Sequence, residues 1–278
     1  MQRKKNFEDD GQGILYIVPT PIGNLEDITL RALRTLEEAD LILAEDTRHT
    51  QKLLNHFEIK NNVLSYHEHN QAQRTEQILD KLKQGETLAL VSDAGMPAIS
   101  DPGNDLVKEV ITHQLRVTVL PGATAAINAL VGSGLATDEF LFYGFLPRKK
   151  QEKVTELTRL GNYPATVILY ESPFRVKETV QQIAKTLGGS RQIVIAREIT
   201  KLHEEFIRGS AEEISVSFQD ETIKGECCIL IEGGTEIVTD ALWWAHLSIA
   251  EHVDYYETEE NLAHKAAMKK VAVDRNLS

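Results

Sequence analysis

The sequence predicts an α/β protein in which a mostly parallel sheet with helices on its faces is followed by a smaller, mixed sheet. Three observations carry this. Short apolar, β-branched runs at 14–18, 41–44, 63–66, 88–91 and 117–120 alternate with segments of helical period, the pattern of strands joined by helical crossovers. A proline and a basic run, Leu146-Pro147-Arg148-Lys149-Lys150, then interrupt the chain and read as a linker, after which the alternation starts afresh. The length of 278 residues, 42% of them hydrophobic, suits about two ordered domains of roughly 100–150 residues each.

The polar start, residues 1–13, has no apolar signal-peptide core and is expected to be flexible. The first domain is expected to span 14–146. Its first strand runs into the loop Pro19-Thr20-Pro21-Ile22-Gly23-Asn24-Leu25. Asp27 is then placed to cap a helix whose Leu30, Leu33 and Leu36 share one face. Strand 41–44 ends in Glu45-Asp46-Thr47-Arg48. After strand 63–66 and His67-Glu68-His69, the spacing of Ile78, Leu79 and Leu82 marks a second sheet-packing helix that stops at Gly85.

Strand 88–91 breaks into Ser92-Asp93-Ala94-Gly95-Met96-Pro97, with Ala98 to Gly103 following before a helix can begin. Gly95 permits positive φ or close backbone approach, and Asp101-Pro102 reads as an N-cap followed by proline at the first helical position. Strand 117–120 leads into Pro121-Gly122-Ala123-Thr124-Ala125. Gly132-Ser133-Gly134 lacks the GxSxG spacing of a nucleophile elbow and reads as a helix C-cap. A strand at 140–145 precedes the linker.

The second domain, 147–235, is expected to carry helices at 152–160 and 175–187, strands at 166–170 and 192–196, and antiparallel strands at 204–208 and 226–231 around a short helix. Cys227 and Cys228, the only cysteines, are adjacent on a strand and point to opposite faces, which disfavours a mutual disulfide and fits core positions in a reducing, cytoplasmic protein. Beyond Gly233-Gly234, helices at 240–249 and 259–272 form a C-terminal extension, 236–278, with Lys265, Lys269, Lys270 and Arg275 gathered near its end. The last residues resemble a turn leading to an N-cap serine, so a further helix is expected after Ser278. No run of 18 apolar residues occurs, so no membrane span is expected.

The net charge is −12, from 42 acidic and 30 basic residues, so the surface as a whole repels phosphate and any nucleic-acid contact needs a local basic patch. Arg148-Lys149-Lys150, joined by Lys153, Arg159 and Arg175, is the candidate; a solvated linker is the competing explanation. The strand-end loops of the first domain gather at one edge of a parallel sheet, where open α/β sheets bind ligands. Any one of them alone is a turn plus a helix cap. Neither GxGxxG nor GxxxxGK[ST] is present, which favours a ligand without a phosphate chain. His67-Glu68-His69 has no third spaced ligand, so no metal is expected.

Taken together, Val18-Pro19-Thr20-Pro21-Ile22-Gly23-Asn24-Leu25-Glu26-Asp27-Ile28-Thr29, Ala44-Glu45-Asp46-Thr47-Arg48, Ser92-Asp93-Ala94-Gly95-Met96-Pro97, Ser100-Asp101-Pro102-Gly103, Leu120-Pro121-Gly122-Ala123-Thr124-Ala125, Gly144-Phe145-Leu146-Pro147 and Ala196-Arg197-Glu198-Ile199-Thr200-Lys201 closely resemble the tetrapyrrole methylase family of S-adenosylmethionine-dependent methyltransferases. The resemblance runs from about Leu15 to the C-terminus. Pro19-Thr20-Pro21-Ile22-Gly23 stands where tetrapyrrole-modifying members carry a GxGPG turn, which favours the RNA-modifying branch.

The resemblance implies a two-domain tetrapyrrole methylase-like fold with S-adenosyl-L-methionine in the cleft, a homodimer, and 2′-O-methylation of a cytidine ribose in the decoding region of 16S rRNA in the small ribosomal subunit. It places Pro21, Ser92, Asp93, Ala94, Gly95, Ile99, Ser100, Pro121 and Gly122 around the donor, with Phe145, Tyr170, Ala196 and Gly225 from the second domain. A ribose hydroxyl is a poor nucleophile and needs positioning and help with its proton. Glu45, Asp46, Lys201 and Glu204 are the catalytic candidates, against the alternative of a buried ion-pair network. Arg48, Arg148, Lys149, Lys150 and Arg175 are the RNA-binding candidates. A methyltransferase of a small, tetrapyrrole-type metabolite and a non-catalytic RNA-binding assembly protein are the rival functions.

Overall fold

In the computed structural model, β-branched and leucine-rich strands pair in parallel to build the first sheet: β1 (Ile14–Ile17), β2 (Leu41–Ala44), β3 (Val63–Ser65), β4 (Thr87–Val91) and β5 (Arg116–Val119), in the order β3-β2-β4-β1-β5. The structure describes residues 11–219, 221–234, 244, 247–260 and 262–275. Most of the N-terminal stretch, 1–10, and the chain end, 276–278, therefore lie outside the described residues. These form two compact units, one of 11–161 with 165–233 and the other of 162–164 with the residues from 234 onward.

Helices between the strands cover both faces of the first sheet. They are α1 (Leu30–Glu38), α2 (Thr47–His56), α3 (Gln71–Lys83) and α4 (Asn104–Thr112), with α5 (Ala125–Ser133) after β5. Alternate strand residues point to opposite faces. Thus Leu15, Ile17, Leu43, Leu88 and Leu90 pack on α3 and α4, while Ile42, Ala44, Ala89 and Val91 pack on α1 and α2. Two predicted caps move. Asp27 ends a short 3₁₀ turn, Leu25–Asp27, and it is Thr29 whose Oγ1 accepts Ala32 N–H at 3.0 Å. Asp101 does not cap α4, because Gly103 takes that place with φ +130° and starts the helix at Asn104.

The second sheet comprises β6 (Phe140–Phe145), β7 (Thr166–Glu171), β8 (Gln192–Arg197), β9 (Glu205–Ser210) and β10 (Cys227–Ile231), ordered β6-β7-β10-β8-β9. Only β6 and β7 pair in parallel; the other neighbours are antiparallel. On one face α6 (Lys150–Gly161), α7 (Val176–Leu187) and α8 (Ala211–Ser217) bury Val167, Leu169, Ile193, Ile195, Cys227 and Ile229. On the other, Ile168, Val194, Ala196, Cys228 and Leu230 receive Ala126, Ala129 and Leu130 of α5. A helix that follows the first sheet is thus the cover of the second, and it locks the two sheets into one unit. Gly134, at φ +81°, ends α5 as a left-handed C-cap, as the sequence suggested.

The adjacent cysteines point to opposite faces of β10, both buried and both free. The other unit contains α9 (Ile249–Thr258) and α10 (His264–Asp274), which pack through Val253, Tyr256, Ala267 and Val271. Residues 240–243 and 245–246 of the predicted 240–249 helix lie outside the described residues; α9 begins at its end, where Ser248 and Glu251 form a capping box. Among the described residues no helix is long and apolar enough to cross a membrane.

Candidate active site

The loops at the C-terminal ends of β1 and β4 are fastened to each other. Thr20 and Gly95 exchange backbone hydrogen bonds of 2.9 and 3.0 Å, and Thr20 Oγ1 donates to Ser92 O at 3.1 Å. Gly95 has φ +81°, and a Cβ there would approach Ile22 Cγ2 at 3.1 Å. Farther along the same loop, Ala98 and Ser100 hold φ values of +67° and +60°, a conformation that non-glycine residues keep only when their surroundings enforce it. On the next strand end, a Cβ on Gly122 would meet Pro19 Cβ at 2.6 Å. These contacts explain why glycines stand at two of the predicted positions.

A cavity of about 410 Å³ opens between this loop cluster and the second sheet, within the roughly 300–1,000 Å³ of small-molecule and cofactor sites. The first sheet contributes Ile22, Ala94 to Met96, Ile99 to Asp101, and Thr124 and Ala125 at the start of α5. The second contributes Phe145, Tyr170 and Glu171 at the ends of β6 and β7, and Glu226 to Cys228 at the start of β10. Antiparallel pairing of β10 with β7, with Cys227 opposite Glu171, is what brings the start of one strand beside the end of the other. Phe145 is 56% exposed and meets Tyr170 edge-on at 5.8 Å, leaving an aromatic face for a flat ring.

Carboxylates, and no lysine, arginine or histidine, line the cavity among the described residues. They are Asp101, Glu171 and Glu226. Burial, then the charge of Glu45, pushes the Asp101 carboxyl up to about 6. Burial likewise pushes the Tyr170 phenol up to about 12 and the thiols of Cys227 and Cys228 up to about 11 and 12, so all three stay neutral at physiological pH. Glu171 is held by Arg175 Nε (2.7 Å), Thr179 Oγ1 (2.8 Å) and Ser172 N–H (2.8 Å). Glu226 pairs with Lys201 at 3.3 Å.

Of the predicted donor-site residues, Ala94, Gly95, Ile99, Ser100, Phe145 and Tyr170 line the cavity. Ser92, Gly122, Ala196 and Gly225 stand behind it. Ser92 holds the loop through bonds to Ala94 O and Gly95 O, Ala196 lies in the core against Cys228, and at Gly225 a Cβ would strike the Glu198 carboxylate. Pro21 and Pro121 flank the same loops without lining the cavity. Asp93 faces the other way, its Oδ1 accepting Asp46 N–H at 3.1 Å and its Oδ2 meeting His49 Nδ1 at 3.1 Å. Met96, Asp101, Thr124, Ile199 and Glu226 line the cavity without having been singled out. Met96, Asp101, Thr124 and Ile199 stood within quoted motifs, whereas Glu226 carries no local signal because the second sheet's pairing delivers it.

The predicted catalytic set is dispersed. Glu45, half-buried at the end of β2, has its pKa raised by burial and by Asp93 and Glu68. Asp46 caps α2, accepting Arg48 N–H at 2.9 Å and the Arg48 guanidinium at 2.6 Å, which holds its carboxyl far below the usual range. Burial opposes the charge on Lys201, but bonds to Glu198 (2.9 Å) and Glu226 prevail and raise its pKa. Its side chain lies over Gly23, where a Cβ would collide with it. Glu204 accepts Thr200 N–H at 2.7 Å and shapes a loop. Asp46, Lys201 and Glu204 are thus each engaged by neighbouring groups, Asp46 and Lys201 in ion pairs and Glu204 by a backbone N–H.

The basic cluster also shrinks. Arg148, Lys149 and Lys150 are exposed at the start of α6, as is Arg48. Arg175 departs from its predicted RNA contact, since its guanidinium is committed to Glu171 and to Leu146 O at 3.0 Å. Lys153 is buried against Glu178, and Arg159 pairs with Glu156. Asp46, His49 and Asp93 bring one donor atom each within 4.8 Å, a spacing that could hold a cation, but these atoms already serve Arg48 and one another.

Comparison with known proteins agrees with this fold. Residues 14–215 match the family model described as Tetrapyrrole (Corrin/Porphyrin) Methylases. The chain is 48% identical over 279 residues to ribosomal RNA small subunit methyltransferase I of Halalkalibacterium halodurans, covering 100% of this chain and 96% of the relative. It is 46% identical over 280 residues to the Bacillus subtilis protein of the same name, covering 100% and 95%. The crystal structure of uroporphyrin-III C-methyl transferase from Thermus thermophilus, complexed with S-adenyl homocysteine, superposes with a TM-score of 0.56 at 19% identity, covering 81% of this chain and 99% of that one. The chain thus belongs to the tetrapyrrole methylase family and, within it, to the ribosomal RNA small subunit methyltransferase I family of methyltransferases.

Proposed function

We propose that the chain uses S-adenosyl-L-methionine to methylate the 2′-oxygen of a cytidine ribose in the decoding region of 16S rRNA. The observation that carries the donor assignment is the cavity's lining, in which carboxylates and aromatic rings occur without a cationic side chain. Such a lining favours a ligand with a positive charge and a flat ring, and a sulfonium nucleoside has both. Ile22, Met96, Ile99 and Phe145 would hold the apolar parts, with Glu226 nearest in character to the cationic ones. Bound there, the donor supplies an electrophilic methyl group.

The acceptor side rests on the names of the close relatives and on the exposed Arg148, Lys149 and Lys150. A local cationic run on a chain of charge −12 suits phosphate contacts that position a substrate without reading its bases. A nucleotide splayed from a loop would bring its sugar to the cavity mouth. A ribosomal substrate places the enzyme in the cytoplasm, and a homodimer belongs to the same proposal. Calorimetric titration tests the donor assignment: S-adenosylmethionine should bind one site per chain, and Phe145→Ala should weaken it. Absence of binding would favour the non-catalytic alternative.

A further inference from the structure

Three carboxylates line the cavity, and two of them are engaged. Glu171 is bound by Arg175, Thr179 and the backbone of Ser172, and Glu226 is paired with Lys201. Asp101 forms no salt bridge among the described residues. The loop presents it to the cavity through two left-handed residues, Ala98 and Ser100, and Gly103 releases it from capping α4. Ser92 donates a hydrogen bond to it, but no cation does, and strained backbone that serves no helix cap and ends in a half-buried carboxylate without a cationic partner at a ligand cavity is the arrangement expected of a working group.

We infer that Asp101 accepts the proton of the ribose hydroxyl during methyl transfer, an assignment that rests on the ribose methylation proposed above. The hydroxyl oxygen forms its bond to the methyl carbon as the carbon–sulfur bond breaks, and the bonding pair stays on sulfur, which becomes a neutral thioether. The hydroxyl proton passes to the Asp101 carboxylate and leaves to water after the products depart. The charged and titratable groups that face Asp101 are Glu45 at the end of β2, Asp93 in its own loop and Tyr170 of β7. None is cationic; burial first, and then the charge of Glu45, outweigh the Ser92 hydrogen bond and make the carboxylate more basic than an ordinary aspartate yet ionised at neutral pH, the compromise a general base requires. Glu45 acts through Asp101 as a positioning residue, its charge keeping that basicity high.

Two variants and three readouts test this. Asp101→Asn should lower kcat at least about 100-fold, with S-adenosylmethionine affinity by calorimetry within about twofold of wild type. The acid limb of the wild-type rate profile, near pH 6 by the Asp101 value, should disappear; in Glu45→Gln it should move to lower pH. A third readout needs no turnover. Folded Asp101 holds its proton more tightly than the unfolded chain, with a pKa of about 6 against 3.8, so folding stability falls as pH rises through that window. Asp101→Asn should therefore melt at or above wild type at pH 7.5, whereas loss of a structural group would lower the melting temperature. Near wild-type kcat in Asp101→Asn, a defect confined to donor affinity, or an unmoved acid limb in Glu45→Gln would each overturn the inference. Wild-type protein that binds the donor but labels no ribose would overturn the functional proposal and this inference together.

Discussion

Glu171 and Arg175 show how single side chains divide between framework and chemistry. The Glu171 side chain is 1% exposed, and a buried carboxylate is tolerated only when paired and hydrogen-bonded. Arg175 supplies the pairing and also ties down Leu146 O, the carbonyl at the end of β6. Arg175→Ala leaves that charge uncompensated and should cost about 3 kcal/mol of stability by urea unfolding; a loss below about 1 kcal/mol would mean the pair is dispensable. The sequence could not reveal this, because the residues span a strand end and a helix start, where the four-residue spacing of helical ion pairs does not apply. Asp101 was hidden differently. Asp-Pro ahead of a helix is an ordinary capping signal, and only the φ of Gly103 shows that the cap lies two residues later.

The strands and most helices were legible because their residues obey simple periods. Short continuous apolar runs alternating with helical segments gave the first sheet, and the Pro/Gly punctuation gave the loops that frame the cavity. Helix α2 was less visible, since its first turn is polar and reads as loop until Asp46 is seen capping it. The role of α5 was not visible at all: a weakly amphipathic helix after the first sheet covers the second one, and no local pattern encodes which sheet a helix will choose. Helix α1 offers a direct test of local reasoning against geometry. Thr29→Ala removes the side chain that accepts Ala32 N–H and should cost about 1 kcal/mol, whereas Asp27→Ala should change stability by less than about 0.5 kcal/mol. Equal costs in paired denaturation curves would restore Asp27 as the cap.

Across the whole chain, the proposed function reconciles acidity with an RNA substrate by keeping the two charge requirements apart. Under the proposed function, a net charge of −12 suits a cavity that would attract a cation, while rRNA contact would fall to a short exposed basic run and to shape. The family likeness was legible from several strand-end motifs in order, and the comparisons bear it out. The cavity's second wall was legible only in part, because it depends on the pairing of β7 with β10. The most direct test of the central claim is transfer of labelled methyl from S-adenosylmethionine to unmodified small ribosomal subunits, followed by nuclease digestion to locate the label. Label on the 2′-oxygen of a cytidine is the predicted result. Label on a base, or none on RNA despite donor binding, would contradict the account.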